Sequence, residues 1–173
     1  MTDEKLREKT EKEVKEFLEN NWKEGFGMWL SYIVDMQMAF EDVVPYDVRY
    51  NLPYVFIYET GVRSGKRVCN WLFKNFNLEG KSVKERTYYT DAFFTSSGAG
   101  EIEFIKEEKK LRFKGGTFFT KMYGVIDKKV CSYIAGFIAG LTSCCMGREF
   151  VVEEVRCASA GDPHCEFVVR EKE

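Results

Sequence analysis

The chain has 173 residues, of which 45% are hydrophobic and 31% charged, and its formal net charge is -2 at pH 7. This length suits one domain with an ordinary core, and the mixed charges form no broad cationic surface for nucleic acid. The first residues lack the apolar stretch of a signal peptide, so we expect a cytoplasmic protein whose six cysteines are thiols or metal ligands, although hyperthermophile proteins can hold intracellular disulfides.

The first two dozen residues predict an amphipathic helix. One stripe recurs at helical spacing, with Lys and Glu elsewhere, and consists of Leu6, Thr10, Val14, Phe17, Leu18 and Trp22. We expect this stripe to form a homodimer interface; the alternative is that it folds back onto its own domain. Gly25 and Gly27 interrupt the pattern, and the aromatic, Met-rich stretch from Met28 to Phe40 predicts a second short helix. Residues 1–50 are therefore assigned to a helical N-terminal segment and residues 51–173 to the main domain.

A long helix is predicted next. Asn51 and Pro53 mark its start, and its apolar face continues to Phe76 in steps of three and four residues. Gly61 and Gly65 lie inside it, where glycine costs about 1 kcal/mol relative to alanine. Two glycines at this spacing indicate close approach by another helix or by a ligand, and helix packing is the preferred interpretation.

Beyond this helix the pattern changes from helical to extended. Ser82 and Glu85 form a capping-box pattern, which predicts a helix that ends at Gly98. Residues 102–113 then show apolar alternation with a period of two, interrupted by the charged run EEKK. This alternation predicts an antiparallel hairpin with one buried face.

The uncharged run from Val130 to Gly147, VCSYIAGFIAGLTSCCMG, is near the shortest length that crosses a bilayer. Its Ser, Thr and Gly residues favour a helix packed against a sheet instead. Residues 149–156 and 165–170 alternate well enough for two more strands, joined by ASAGDPH. We therefore predict an α+β fold in which helices pack on one face of a four-stranded antiparallel sheet.

Residues able to carry chemistry are concentrated in this last connection. The run EVRCASAGDPHCEF places Glu154, Cys157, His164 and Cys165 around one turn. Zinc prefers a tetrahedron of thiolate sulfur with imidazole nitrogen or carboxylate oxygen, so these residue types suit zinc. Which residue completes the site stays open at this point. His164 is one alternative, and Glu153 is another because strict strand alternation places it on the face of Cys157.

The same region resembles the 4-vinyl-reductase domain family, which includes stand-alone archaeal proteins and the sensor domains of aromatic-responsive transcription activators. The matching runs are CSYIAGFIAG from Cys131, EVRC from Glu154 and GDPHCEF from Gly161. In the sensor members a cysteine at the start of the glycine-rich helix, a glutamate and two following cysteines bind zinc. The resemblance therefore implies a zinc site made by Cys131, Glu154, Cys157 and Cys165.

The ligand set that the resemblance implies has two structural consequences. If Glu154 is the carboxylate ligand, the strand needs a bulge or an end near Arg156, because strict alternation would turn Glu154 away from Cys157. Four protein ligands also leave zinc no open position for water, so the site is expected to be structural. The cysteines outside this set, namely Cys69, Cys144 and Cys145, are expected to act as small buried hydrophobes.

For function, the resemblance implies a domain that binds or senses a small molecule in an apolar pocket near the metal. The pocket candidates are the aromatic residues Trp71, Tyr88, Phe93, Phe118 and Phe119. The phenol-sensing members place a histidine at the ligand hydroxyl, whereas the single histidine of this chain lies in the metal loop. The expected ligand is therefore a small apolar or aromatic molecule, closer to a hydrocarbon than to phenol.

Two other functions are retained as alternatives. One is an enzyme or accessory protein in tetrapyrrole vinyl-group reduction, the activity after which the family is named. The other is a protein-interaction scaffold, because the fold is similar to that of vesicle-tethering subunits. An enzyme is the less favoured interpretation, since the sequence shows no Ser-His-Asp arrangement, Rossmann fingerprint or P-loop, and no catalytic residue is assigned.

Overall fold

A computed structural model describes residues 3–21, 52–105 and 109–173. Its helices and strands follow in chain order as α1 (Asp3–Asn21), α2 (Leu52–Phe76), α3 (Val83–Ser96), β1 (Glu101–Ile105), β2 (Lys110–Lys114), α4 (Phe118–Tyr123), α5 (Ser132–Met146), β3 (Phe150–Arg156) and β4 (Cys165–Glu171). The helix expected between Met28 and Phe40 lies outside the described residues, as does Trp22. The short helix α4 is an element that the sequence patterns did not predict.

The four strands form one antiparallel sheet in the order β1-β2-β4-β3. Its inner face carries buried apolar side chains such as Phe113, Val152 and Phe167, and helices pack on this face. The opposite face carries charged side chains, among them Arg112 and Arg170. Alternation of apolar and charged residues along each strand produces this division. The predicted α+β fold with helices on one face of a four-stranded sheet is confirmed.

Helices α2 and α5 cross at very close range through reciprocal glycines. A Cβ atom on Gly136 would lie 2.0 Å from the carbonyl oxygen of Tyr58. A Cβ atom on Gly61 would in turn lie 2.3 Å from the carbonyl oxygen of Tyr133. Because no side chain separates the backbones, only glycine fits at these positions. Helix packing, the preferred explanation for the glycines of α2, is what the structure shows.

Helix α5 is uncharged along its whole length because it lies between α2 and the sheet, and almost all of its residues are buried. A helix enclosed on every side needs no polar face. Among the described helices, none combines the length and the apolar content that crossing a bilayer requires.

Helix α1 packs against α3 within the same chain. Val14 and Leu18 are buried, and the ring of Phe17 lies 5.3 Å from the ring of Trp71. The hydroxyl of Tyr89 on α3 donates a hydrogen bond to Glu13 on α1. The described part of the apolar stripe is therefore covered by its own domain, which was the alternative to a dimer interface. The homodimer stays a prediction, but this stripe no longer supplies its contact surface.

Helix α3 begins where the capping-box pattern indicated. The backbone N–H of Glu85 donates to the hydroxyl oxygen of Ser82, and the backbone N–H of Ser82 donates to the Glu85 carboxylate at 3.0 Å. Two of the N–H groups at the start of the helix are satisfied in this way. The predicted start of this helix is confirmed.

Two of the cysteines expected to be buried thiols form a disulfide. Cys69 on α2 and Cys144 on α5 are bonded, with their Cα atoms 6.2 Å apart. The expectation that both serve as small hydrophobes is therefore wrong. The glycine contacts bring the two helices within the Cα separation that a disulfide requires, and no local sequence pattern reports that approach. Cys145, by contrast, is a buried free thiol, as expected.

Candidate metal centre and ligand cavity

Four buried side chains from three parts of the fold converge at one end of α5. Cys131 is the N-cap residue of α5, Glu154 lies on β3, Cys157 follows β3, and Cys165 is the first residue of β4. One potential ligand atom from each of the four lies within 4.8 Å of all the others, and all four residues are buried. We call this group the Cys3Glu cluster. It contains the four residues that the family resemblance singled out.

A β-bulge brings the carboxylate into this cluster. Glu154 pairs with Phe167 across the β3–β4 ladder. The next pair is formed by Arg156 and Glu166, so Val155 is an extra residue on β3. A bulge of this kind shifts the alternation of side chains by one position. The strand irregularity expected near Arg156 is therefore present between Glu154 and Arg156.

The bulge also separates the two candidate carboxylates. Glu154 is only 6% exposed and points to the same interior as Cys157. The side chain of Glu153 is 61% exposed on the outer face, where its carboxylate lies 3.5 Å from Arg170. Glu153 is thus outside the cluster, and the structure places Glu154 where a ligand would have to be.

The turn between β3 and β4 holds the two later cysteines in position. The backbone N–H of Cys157 donates to the carboxylate of Asp162 at 2.8 Å, and the N–H of Asp162 donates back to the Cys157 carbonyl at 3.2 Å. The backbone N–H of Ala158 points at the sulfur of Cys165, with a separation of 3.4 Å. Gly161 has a φ of 95°, which favours glycine at this point of the turn.

His164 lies on the other side of the sheet. Its Nε2 atom is 3.4 Å from the carboxylate of Glu166. The same carboxylate contacts Lys110 and Arg112, each at 3.2 Å. His164 is therefore part of an ion-pair network on the outer face and does not join the three cysteines. The Cys3His alternative is not assembled in this structure.

The electrostatics of the cluster favour partial protonation when no cation is bound. Burial raises the pKa of Glu154 to about 7 and raises that of Cys131 well above its ordinary value. Hydrogen bonds from Cys131 and Cys157 lower the pKa of Cys165, so a single thiolate is favoured at this position. A buried group of several acids cannot carry all its negative charges unless a cation balances them.

The donor set fits a zinc ion. Sulfur atoms bound to one tetrahedral zinc are about 3.8 Å apart, given zinc–sulfur bonds of about 2.3 Å. The sulfur atoms of Cys131 and Cys165 are 3.9 Å apart. The Oε1 atom of Glu154 is buried and has no hydrogen-bond partner among the described residues. An unsatisfied buried carboxylate oxygen beside three thiols is the arrangement that a soft divalent cation would complete.

A second feature is a cavity of about 960 Å³ at the opposite end of α5, between α1, α3, α5 and the sheet. Its apolar lining includes Phe94, Ile102, Leu111, Ile138, Leu141 and Val169. Charged residues such as Arg7, Lys84 and Arg148 also line it. Its size lies within the range of about 300–1,000 Å³ that is usual for ligand sites.

Of the five aromatic pocket candidates, Tyr88 lines this cavity. Trp71 instead packs against the ring of Phe17, and Phe93 is buried in the main core. The other two candidates, Phe118 and Phe119, belong to α4, on the metal side of the fold. The cavity lining is thus mainly aliphatic and comes from elements that an aromatic count does not identify.

The cavity and the cluster occupy opposite ends of the same elements. Helix α5 starts at Cys131 in the cluster and reaches the cavity at Leu141, whereas β3 starts at the cavity with Phe150 and reaches the cluster at Glu154. Four residues of strand correspond to about 13 Å. None of the four cluster residues lines the cavity. The pocket that was expected near the metal is therefore at the far end of the domain.

Sequence reasoning missed one charged residue of the cavity. Asp91 on α3 lines it, and burial raises the pKa of its carboxyl to about 6, with Arg7 acting in the opposite direction. No local signal marks this residue, because α3 has only a weak apolar period and Asp91 is preceded by two other polar or half-polar positions. Its position follows from the packing of α1 and α5 around α3.

Comparison with known proteins places this architecture. Residues 116–171 match the vinyl-4-reductase domain family. No curated protein matches the chain in sequence. Among solved structures, the phenol-responsive sensory domain of the transcription activator PoxR with phenol has a TM-score of 0.58 and 18% identity, covering 80% of this chain and 74% of that one. At such low identity the likeness shows the fold.

Two further solved structures share the fold. A vinyl-4-reductase family protein from Methanocaldococcus jannaschii has a TM-score of 0.58 and 18% identity, covering 92% of this chain and 88% of that one. Trafficking protein particle complex subunit 3 from Naegleria fowleri, covalently bound to palmitic acid, has a TM-score of 0.54 and 15% identity, covering 82% and 96%. The matched segment 116–171 contains the whole Cys3Glu cluster, and over this segment the chain is a vinyl-4-reductase domain, which confirms the resemblance to the 4-vinyl-reductase family.

Proposed function

We propose that this chain is a small-molecule-binding domain whose ligand occupies the cavity between α3, α5 and the sheet. The observation that carries the proposal is the cavity itself, with a volume of about 960 Å³ and a largely aliphatic wall. Sites of this size and lining bury most of the surface of a small apolar ligand. The expected ligand has an apolar or aromatic body.

The comparisons support the proposal without identifying the ligand. PoxR was solved with phenol, and the Naegleria fowleri subunit was solved with palmitic acid. Both are small molecules with an apolar body, and both proteins share the fold of this chain. A ligand role in this chain is therefore consistent with what the fold accommodates elsewhere.

We further propose that the Cys3Glu cluster binds one zinc ion as a structural brace. When bound, zinc would neutralise the thiolates of Cys131, Cys157 and Cys165 and the carboxylate of Glu154. Four protein ligands leave no position for a reactive water, so the ion supplies cross-linking rather than catalysis. The brace would join the start of α5 to the β3–β4 turn, at the end of the domain away from the cavity.

The ligand proposal is tested by blocking the cavity. Leu111 on β2 lines it, so Leu111→Trp fills part of its volume. Val151 lies on the exposed outer face of β3, and Val151→Trp is the matched control. We expect Leu111→Trp to weaken naphthalene binding, measured by equilibrium dialysis, by about tenfold, or about 1.4 kcal/mol. The control should bind as the unaltered protein does.

A second measurement concerns the natural ligand. Protein isolated from its native cell is extracted with organic solvent, and the extract is examined by mass spectrometry. We expect an apolar compound that is depleted in Leu111→Trp and retained in Val151→Trp. Equal naphthalene binding by both variants would place the site elsewhere, and absence of both naphthalene binding and an extracted compound would contradict the function.

A further inference from the structure

We propose that Asp91 selects ligands that present a hydrogen-bond donor, a hydroxyl or an amine, from an apolar body inside the cavity. The inference rests on the proposed function and specifies the ligand class of that site. It assigns Asp91 the role of a specificity-determining residue, in contact with the head group of the ligand.

The carboxylate of Asp91 differs from the other acidic groups around the cavity. Asp3 is paired with Lys84, and Glu171 lies 3.1 Å from Arg148. The side chain of Asp91 has neither a hydrogen bond nor an ion pair within the part of the chain that the structure describes. It is the lining acid that is both largely enclosed and without a partner.

The hydroxyl groups next to Asp91 are already used. Thr87 donates its hydroxyl to the carbonyl of Lys84 at 2.8 Å. Thr90 donates its hydroxyl to the carbonyl of Thr87 at 2.8 Å. These short bonds to the helix backbone turn both donors away from the Asp91 carboxylate. A donor for Asp91 therefore has to come from inside the cavity.

The charged and titratable groups around Asp91 do not replace such a donor. Arg7 on α1 lines the same cavity and attracts the carboxylate, but its side chain is exposed and makes no ion pair with it. Arg86 on α3 and Cys145 on α5 also lie within electrostatic range, and burial raises the pKa of that thiol to about 11, which keeps it neutral. Asp91 is thus an acceptor facing a cavity whose deeper wall is apolar.

A buried acceptor without a partner is unfavourable, because it has lost water and gained no hydrogen bond. Burial accordingly raises the pKa of Asp91 to about 6. A ligand hydroxyl or ammonium would restore the missing hydrogen bond, while its body contacts side chains such as Phe94 and Leu141. The same ligand without a donor would leave the carboxylate unsatisfied. The cavity should therefore discriminate by head group as well as by size.

The test uses four probes that share one apolar body: naphthalene, 2-naphthol, 2-naphthylmethylamine and 2-naphthoate. Their affinities for the full chain are measured at pH 7.5 by equilibrium dialysis. We expect 2-naphthol and 2-naphthylmethylamine to bind about tenfold more tightly than naphthalene, as a hydrogen bond to a charged group allows. We expect 2-naphthoate to bind more weakly than naphthalene, because it brings a second negative charge to Asp91.

Three variants separate charge from hydrogen bonding. Asp91→Leu should abolish both preferences and bind naphthalene at least as well as the unaltered protein. Asp91→Asn keeps an acceptor oxygen but no charge, so it should lose the preference for the amine and keep part of that for 2-naphthol. Glu171→Gln removes a paired charge at the same cavity and should change neither preference.

Failure of the inference and failure of the proposed function are distinguishable. If naphthalene binds but the four head groups are equivalent, or the preferences survive in Asp91→Leu, Asp91 does not select the ligand, although the cavity remains a binding site. Tightest binding of 2-naphthoate would assign the head-group contact to a cationic side chain such as Arg7 and overturn the inference. If none of the four probes binds, the proposed function itself is contradicted.

Discussion

The two ends of the α5–sheet layer solve the burial of polar groups in opposite ways. At the cluster end, four acidic side chains converge on one point, and a single cation would satisfy them together. At the cavity end, acids and bases are spread over the walls, and most are paired locally with a neighbour. Asp91 is the exception, since its carboxylate faces the cavity without a partner among the described residues. One end is built to be closed, and the other is built to receive a ligand.

This difference teaches why the same helix and strands can serve both purposes. The side chains at the cluster end act as a unit, because each ligand is useful only when the others are present. The ion pairs at the cavity end are partly exposed and act separately, so each contributes little. Stability should therefore be sensitive at the cluster end and tolerant at the cavity end.

The largest effect is expected from removing one thiolate. Cys157→Ser should lose the zinc, which we expect at about one ion per chain by elemental analysis. A metal present at a thousandfold excess over its Kd contributes about 4 kcal/mol to stability. For a chain of this size that loss lowers the melting temperature by about 10 °C. The control is Cys145→Ser, another buried thiol, which should keep the metal.

An outcome in which Cys157→Ser and Cys145→Ser melt at the same temperature, both free of metal, would remove the distinction between the two ends. Metal lost from Cys145→Ser instead would mean that the cluster is assembled from other cysteines. Either result would defeat the zinc assignment.

A smaller effect is expected from the carboxylate. Glu154→Gln should weaken zinc binding by about 100-fold, or about 2.8 kcal/mol, because a neutral amide is a poorer ligand than an ionised carboxylate. Glu153→Gln is the adjacent control, since that side chain is exposed and paired with Arg170. Competition with a chromogenic chelator measures both affinities. If Glu153→Gln has the larger effect, the bulge does not determine the ligand.

The crossing of α2 and α5 joins the two ends and should be sensitive without altering either site. Gly136→Ala places a methyl group 2.0 Å from the Tyr58 carbonyl oxygen, so the helices must separate. Overpacking of this kind costs about 1–3 kcal/mol. We expect a lower urea midpoint with unchanged zinc content. Arg63→Ala, at an exposed position on α2, should have little effect, and equal midpoints in the two variants would contradict the close contact.

The smallest effect is a pH-dependent gain in stability at the cavity end. The pKa of Asp91 rises from 3.8 to about 6 on folding, so between these values the folded state keeps a proton that the unfolded state releases. Stability is therefore lost as pH rises through this range. Asp91→Asn removes the penalty and should be more stable than the unaltered protein by about 1 kcal/mol at pH 7.5, after allowance for partial solvent screening.

Urea denaturation of both proteins at pH 4 and pH 7.5 measures this difference. Any loss of zinc at pH 4 affects the two proteins alike and cancels in the comparison. We expect the advantage of Asp91→Asn to disappear at pH 4, where the carboxyl is largely protonated in the folded protein. A constant advantage at both values would show that Asp91 is not enclosed.

Local chemistry explains why much of the fold was predictable. The capping box at Ser82 and Glu85 satisfies backbone groups three residues apart, so it is visible in the sequence and present in α3. The same holds for the alternation of β1 and β2 and for the uncharged run that forms α5. The need for a bulge near Arg156 followed from requiring Glu154 and Cys157 to face one interior. Each of these features depends on neighbours close in the chain.

The sequence by itself determined the α+β architecture, the reciprocal glycines of a close helix contact and the four side chains that converge in the cluster. Only the tertiary structure decided the partner of α1, the Cys69–Cys144 bond, the place of the cavity and the enclosure of Asp91. The physical reason is range. Periodicity and caps report contacts within a few residues, whereas these features depend on the distance and angle at which α1, α2, α3 and α5 pack, which no local pattern encodes.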